Sequence, residues 1–252
     1  MNKILAVVPA RMDSSRFPGK PLENINGIPM IAHCYFRATL AKNITKVVLA
    51  TPDQEIINFG KKYNIETILT SNKHERATER AEEVLQILKK DNEDYDYVLL
   101  LQGDEPQIDP EEVDRLALAL FESSNQVVNL IHPIHNEDMK NPNVVKVIKD
   151  INNNIIFFSR SSIPYGANSG FRQLGMIGFT SKILETYCEL APTDLEILES
   201  IDMMRFLEND IKISALTSYE EIIGVDNPPD IKKVEEMMKD DSLLVSYEHL
   251  FK

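Results

Sequence analysis

The sequence predicts an α/β protein in which helices flank a mostly parallel sheet and an antiparallel, β-rich extension follows. Short, continuously apolar runs alternate with capped helical segments as far as Ile131, the pattern of a parallel sheet covered on both faces. Beyond His132 the runs come closer together, with turn residues between them and few helix signals before Ser181. The composition, 43 % apolar and 27 % charged, is that of an ordinary globule and excludes disorder or collagen-like repeats.

In chain order, the predicted strands of the first part are Ile4 to Val8, Lys46 to Ala50, Glu66 to Leu69, Tyr97 to Leu101 and Val127 to Ile131. Thr51-Pro52-Asp53-Gln54 predicts a helix start with Thr as the cap, Pro at the first helical position and Gln closing a capping box; Asp109-Pro110-Glu111-Glu112 repeats that logic. Val113, Leu116, Ala117 and Leu120 then make one apolar helical face. The extension carries predicted strands at Val144 to Ile148, Ile155 to Ser159 and Leu174 to Phe179. Thr193-Asp194-Leu195-Glu196 opens a helix expected to reach about Glu208. A strand from Lys212 to Leu216 and a helix starting at Asn227-Pro228-Pro229-Asp230 complete the chain.

The 40 acidic residues exceed the 27 basic ones, giving a net charge of −13. That excludes a protein gripping a nucleic-acid backbone through a basic surface. The first apolar run stops at Pro9, too short for a secretory core or a membrane span, so a cytoplasmic protein with no membrane association is expected. Cys34 and Cys188 have no metal-ligand or disulfide spacing and read as buried thiols. The five histidines form no metal cluster, and His132 and His135 read as surface residues. Met203, Met204, Met237 and Met238 read as core filler, and Glu235-Glu236 and Asp240-Asp241 as solvated acidic faces. No Gly-x-Ser-x-Gly is present for a hydrolase nucleophile.

Three stretches carry chemistry. Pro9 to Pro21 leaves the first strand at the edge where α/β proteins bind ligands, and it sets Arg11, Arg16 and Lys20 against Asp13 alone, a local charge of +2. It reads either as a triphosphate cradle or as a surface turn with chance basic residues. A P-loop would need Gly at position 14 and Ser or Thr after Lys20, where this chain has Ser14 and Pro21; the dinucleotide fingerprint is also absent. Gln102-Gly103-Asp104-Glu105-Pro106 ends a strongly apolar strand, so that Asp104 could present magnesium to phosphates. Gly224-Val225-Asp226-Asn227 repeats a carboxylate after an apolar run, although capping alone would explain it.

Together with Phe158-Ser159-Arg160 and Ile163-Pro164-Tyr165, these stretches resemble the 3-deoxy-manno-octulosonate cytidylyltransferases in order, spacing and total length over nearly the whole chain. The resemblance implies a Rossmann-like nucleotidyltransferase fold, attack of a sugar acid on the α-phosphorus of CTP, a homodimer, and Mg2+ as cofactor. One domain spanning 1–252 would comprise a CTP-binding half (1–131), a β-rich acceptor and dimer segment (132–180), and C-terminal helices with a metal-ligand segment (181–252). By position, Arg11, Lys20 and Asp104 would be catalytic, and Ala10, Arg11, Lys20, Gln102 and Thr78 would bind the nucleotide. Arg160, Gln173 and Asp202 would bind a small anionic acceptor, Arg160 through its carboxylate. Asp104 and Asp226 would hold the metal.

Three segments depart from the family. Its His-x-Ser-Gly-Thr-Asp/Glu-Arg is here His74-Glu75-Arg76-Ala77-Thr78-Glu79-Arg80. Its His-x-Gly-Ile-Tyr is Gln173-Leu174-Gly175-Met176-Ile177, and its Glu-Gln-Leu-Arg is Asp202-Met203-Met204-Arg205. Lost acceptor-side hydrogen-bonding groups imply either a different anionic acceptor, such as another sugar acid or a phosphonate, or lineage drift with compensating contacts. A CTP-binding homologue without catalysis is the alternative of a different class; retention of both Asp104 and Asp226 favours the enzyme.

Overall fold

The computed structural model describes residues 2–14, 16–122 and 125–251. Ser15 of the basic loop and Met1 lie outside them. The chain begins with β1 (Ile4–Pro9), a short hairpin of β2 (Asn24–Ile25) and β3 (Ile28–Pro29), α1 (Met30–Thr39), β4 (Lys46–Thr51), α2 (Gln54–Tyr63) and β5 (Thr67–Leu69). Next come α3 (Ala77–Lys90), β6 (Tyr97–Leu101), α4 (Pro110–Leu120), β7 (Val127–His135) and α5 (Glu137–Lys140). After β8 (Lys146–Lys149), β9 (Ile155–Ser159) and β10 (Ser169–Thr180) follow α6 (Ser181–Glu189), α7 (Asp194–Glu199), α8 (Met203–Glu208), β11 (Ser214–Thr217) and α9 (Pro228–Met237).

The main sheet runs β11-β7-β10-β6-β1-β4-β5, with β8 on β10 and β9 on β8. β6, β1, β4 and β5 are mutually parallel, so the loops leaving them open at one edge. β10 is antiparallel to both β6 and β7, and β8 and β9 continue the antiparallel part outward. Thus the antiparallel extension does not simply follow the parallel half; its longest strand is threaded into the middle of the sheet.

Every residue of β1 is buried because both faces are covered. Ile4, Ala6 and Val8 pack with residues of α1, α2 and α4, whereas Leu5 and Val7 pack with α3, α6 and α8. The apolar face of α4, Val113, Leu116, Ala117 and Leu120, is buried as its spacing predicts. Its cap also forms, with Asp109 accepting from the Glu111 N–H.

Several local expectations are corrected. Thr51 ends β4 instead of capping α2; its hydroxyl accepts from Asp53 N–H, and Asp53 becomes the residue preceding the helix. The Asp53 carboxylate is drawn to the Met12 N–H at 2.7 Å, where it ties down the basic loop. The helix expected from Thr193 to about Glu208 is broken at Ser200, whose φ of 55° is left-handed. Cys188 is exposed, as is Met237 at 42 %, whereas Cys34 and the other three methionines are buried. His132 is only partly exposed, with Nδ1 buried. Asp241 is no solvated residue either: it pairs with the buried Arg37. No helix among the described residues is long and apolar enough to cross a membrane.

Buried His33 links α1 to the C-terminal segment. Its Nε2 lies 2.9 Å from the Ile25 carbonyl, which can only accept, so Nε2 carries the proton and Nδ1 accepts from Tyr247 OH, also at 2.9 Å. Burial pushes its pKa down to about 4 against the Ile25 hydrogen bond; the nearby Arg37 charge lowers it further, and Asp241 opposes. The unfolded chain binds this proton below pH 6.5 while the folded chain does not, so its contribution is complete above that pH and is lost as pH falls towards 4. Between pH 7.5 and 4.5 wild type should lose about 2–3 kcal/mol more stability than His33→Gln in denaturant titrations. Equal losses in the two proteins would refute this assignment.

Candidate active site

The site is assembled from the loops at the shared edge of the parallel strands. After β1 the chain reaches Gly19, whose φ of 79° suits glycine and turns the backbone into a 3₁₀ turn that begins at Lys20. Lys20 is thereby aimed across the sheet edge, where Nζ donates to Asp104 Oδ2 and to the Val225 carbonyl, both at 2.7 Å. Val225 N in turn donates to the Asp104 carbonyl at 2.8 Å. Arg16 pairs with Asp226 at 2.8 Å. Three segments separated by long stretches of sequence thus converge on two carboxylates and two cations. Burial raises the pKa of Asp226, and the charge of Asp104 raises it further, while Arg16 and Lys20 oppose.

Two cavities flank this cluster. The first, about 290 Å³, is lined by Ala10, Arg11, Arg16, Lys20, His74, Arg76, Arg80, Gln102 and Asp104 among others. It is strongly basic in a protein of net charge −13. The second, about 240 Å³, includes Gln102, Asp104, Glu105, Arg160, Arg172, Gln173, Asp202 and Asp226. Gln102 and Asp104, at the tip of β6, belong to both.

Close packing fixes that tip. A Cβ added at Gly103 would lie 2.5 Å from the Pro9 carbonyl oxygen and 2.9 Å from Ile31 Cδ1, forcing β1 and β6 apart where Ala10 and Gln102 line the first cavity. Gly103→Ala should therefore cost about 1–3 kcal/mol of stability and also lower activity. Thermal unfolding beside initial-rate measurement checks this; stability within about 0.5 kcal/mol of wild type would show that the tip yields without strain.

Each expected site residue has a defined place. Ala10, Arg11, Lys20 and Gln102 line the first cavity as a group. Thr78, expected at the nucleotide, does not: it is fully buried and its hydroxyl donates to Asp202 Oδ2 at 2.8 Å, so its contact is with the acceptor-side carboxylate. Burial raises the pKa of Asp202, against Thr78 and Arg76. Gln173 lines the second cavity and its Nε2 donates to Asn129 at 2.7 Å. Arg160 also lines it, but its guanidinium donates to the carbonyls of Glu199, Pro142 and Ser200. Lys146, only 1 % exposed, holds that region by giving its three ammonium protons to the carbonyls of Asn141, Val144 and Arg160.

Residues assigned no role from the sequence also stand here. Arg80 lines the first cavity and is held by Thr70 and by the Ser71 carbonyl, at 3.0 Å from the latter. Its signal was the Thr78-Glu79-Arg80 end of the family segment. Arg76 reaches Ser200 Oγ at 2.9 Å, the Glu196 carbonyl at 3.3 Å and the Glu196 carboxylate at 3.3 Å. The charged substitute for the family's serine therefore braces the first cavity against the α7–α8 junction. Burial pushes the Glu105 carboxyl up to about 7, against the hydrogen bond it accepts from Gly175 N–H.

The comparisons with known proteins agree with this geometry. The profile of the family described as cytidylyltransferase matches residues 5–213. The 3-deoxy-manno-octulosonate cytidylyltransferase of Parabacteroides distasonis is 34 % identical over 248 residues, covering 92 % of this chain and 97 % of that one. The 8-amino-3,8-dideoxy-manno-octulosonate cytidylyltransferase of Shewanella sp. (strain W3-18-1) is 39 % identical over 246 residues, covering 94 % and 99 %. A solved CMP:2-keto-3-deoxy-manno-octonic acid synthetase complexed with CTP superposes with a TM-score of 0.86 at 32 % identity, covering 95 % of this chain and 100 % of that one. Matched by the profile over most of its length and by relatives along nearly all of it, the chain belongs to the 3-deoxy-manno-octulosonate cytidylyltransferase family of CTP-dependent nucleotidyltransferases.

Proposed function

We propose that this cytidylyltransferase joins CMP to the anomeric oxygen of a 3-deoxy-octulosonate-type sugar acid and releases pyrophosphate. The observation that carries the reading is the sharing of Gln102 and Asp104 between a basic cavity and a second, mixed-charge cavity. A nucleotide in the first and an acceptor in the second would meet at the tip of β6. The anomeric oxygen bonds to the α-phosphorus, the bond from that phosphorus to the α–β bridging oxygen breaks, and pyrophosphate leaves with the electron pair while the hydroxyl proton passes to solvent.

Such chemistry asks the protein mainly for in-line positioning and charge neutralisation. Arg11, Arg16, Lys20 and Arg80 serve the triphosphate; Ala10 and Gln102 lie against the nucleotide; Arg160, Gln173 and Asp202 shape the acceptor cavity. The donor set fits Mg2+: Asp104 and Asp226 are hard oxygen ligands close enough to influence one another, and no larger converging group of His, Cys, Asp or Glu occurs among the described residues. Two carboxylates suit an ion that takes its remaining ligands from phosphate and water. When bound, Mg2+ supplies charge neutralisation at the transferring phosphate. A CTP-consuming enzyme needs an intracellular nucleotide pool, which is compatible with a cytoplasmic location.

A homodimer belongs to the same reading. Exposed Ile151, Ile156, Tyr165, Ile197 and Leu198 put apolar surface on the β-rich segment and α7, where a second copy could cover it. Sedimentation should give twice the 28.7 kDa chain mass, and Leu198→Glu should shift it towards one chain. A wild-type monomer at micromolar concentration would oppose the dimer.

The enzymatic test is pyrophosphate release from CTP and Mg2+ with 3-deoxy-manno-octulosonate, its 8-amino-3,8-dideoxy analogue, or a phosphonate. The sugar acids should support turnover that chelation abolishes. Turnover with the phosphonate alone would overturn the acceptor assignment, and CTP binding with turnover on none would mean a non-catalytic homologue.

A further inference from the structure

We infer that Arg172, a residue the family resemblance did not single out, takes the acceptor's carboxylate and so sets the specificity of the second cavity for acids. The inference rests on the proposed transfer to a sugar acid. Arg172 lies in β10 and lines the second cavity beside Gln173 and Asp202. Among the described residues its side chain makes no hydrogen bond or ion pair, and its Nε is buried without a partner. Arg172 is half-buried: Nε is withdrawn from water with no acceptor, and the terminal nitrogens have no partner among the described residues, so a planar anion reaching the forked N–H groups would satisfy Nε and gain a paired cation at once.

Charge in the cavity points the same way. Asp104, Glu105, Asp202 and Asp226 all line it, so an acid can enter only opposite an available cation. Arg160 is the other arginine of this cavity, and its Nε and both terminal nitrogens already bond to backbone carbonyls. Its geometry is that of a loop brace. Glu105 does not neutralise Arg172 by contact: its Oε1 accepts from Gly175 N–H, and its Oε2 is buried with no partner. Across the strand pair, Arg172 faces His132, whose Nδ1 is likewise buried and unpartnered. Three unsatisfied polar atoms thus belong to Arg172, to the cavity residue Glu105 and to Arg172's cross-strand neighbour.

The test compares 3-deoxy-manno-octulosonate with its C1 carboxamide, which keeps the shape and removes the charge, using wild type, R172Q, R172K and R160Q. For R172Q the KM of the acid should rise about 10- to 100-fold, with the KM for CTP within about twofold of wild type and most of the acid-over-amide preference lost. R172K should fall between, because lysine keeps the charge without the fork. R160Q should lower the rate with both probes and leave the preference in place. Should R172Q fail to fold by circular dichroism, R172K decides: an unchanged KM and preference there overturn the inference. It is also overturned if R172Q keeps the wild-type preference or if R160Q abolishes it. Absence of wild-type turnover with any sugar acid would instead sink the transfer reading itself, and this inference with it.

Discussion

Lys20→Ala is expected to lower kcat/KM by about two orders of magnitude, equivalent to about 3 kcal/mol of transition-state stabilisation. The reason is geometric. Nζ bonds to both the Asp104 carboxylate and the Val225 carbonyl, so it neutralises one side of the carboxylate pair and ties the basic loop to the Asp226 segment. Without it, on the proposed reading, the triphosphate would lose a fixed cation, and Asp104 would face Asp226 with less opposing charge. Lys20→Arg should recover part of the rate, since the charge returns with a different reach. Initial rates at saturating and limiting CTP separate the effects: a ground-state role raises KM alone, whereas a transition-state role lowers kcat. A rate within fivefold of wild type would remove Lys20 from the machinery.

Asp226→Asn should be more severe, reducing turnover by about a thousandfold or more, because the proposed Mg2+ would lose one of its two protein carboxylates. Asparagine preserves shape and can still accept from Arg16, which at present pairs with Asp226 at 2.8 Å. The fold should therefore persist, and the melting temperature should stay near that of wild type. Excess Mg2+ should recover little of the activity. Near-normal rates in this variant would show that Asp226 is an ordinary residue before α9, whose N-terminus Asn227 already closes through a capping box with Asp230.

The sequence made the parallel half of the fold legible because β1, β4 and β6 are buried on both faces and leave nearly continuous apolar runs. What it concealed depends on contacts distant along the chain. Nothing between Thr193 and Glu208 is a glycine or proline, yet the helix breaks at Ser200. There Arg76 bonds to the Ser200 hydroxyl and Thr78 to Asp202, both from more than a hundred residues away. Thr51 has the right neighbours for a cap, but β4 pairing carries the strand through it, and Asp53 takes the position before α2. Local chemistry identified good capping residues in both places; tertiary hydrogen bonds decided the outcome.

The site divides along the same line. The basic loop and Asp104 were readable because each directly follows a strand at the ligand-binding edge, a purely local cue. That Asp226 joins them required the chain to return across the sheet, which only family resemblance suggested. Arg160 carries a recognisable motif, yet three backbone carbonyls engage its guanidinium. Arg172 carries no local cue, and its lack of a partner becomes visible only after β10 is threaded between β6 and β7.

On the proposed reading, CMP is transferred and pyrophosphate lost where the two cavities meet at Gln102 and Asp104. Phosphorus NMR of the wild-type reaction with CTP, Mg2+ and 3-deoxy-manno-octulosonate tests it most directly. The three CTP resonances should give way to one phosphodiester signal and pyrophosphate, in equal amounts and in step with consumption of the sugar acid. Accumulation of CDP with orthophosphate, or unchanged CTP beside a bound nucleotide, would contradict it.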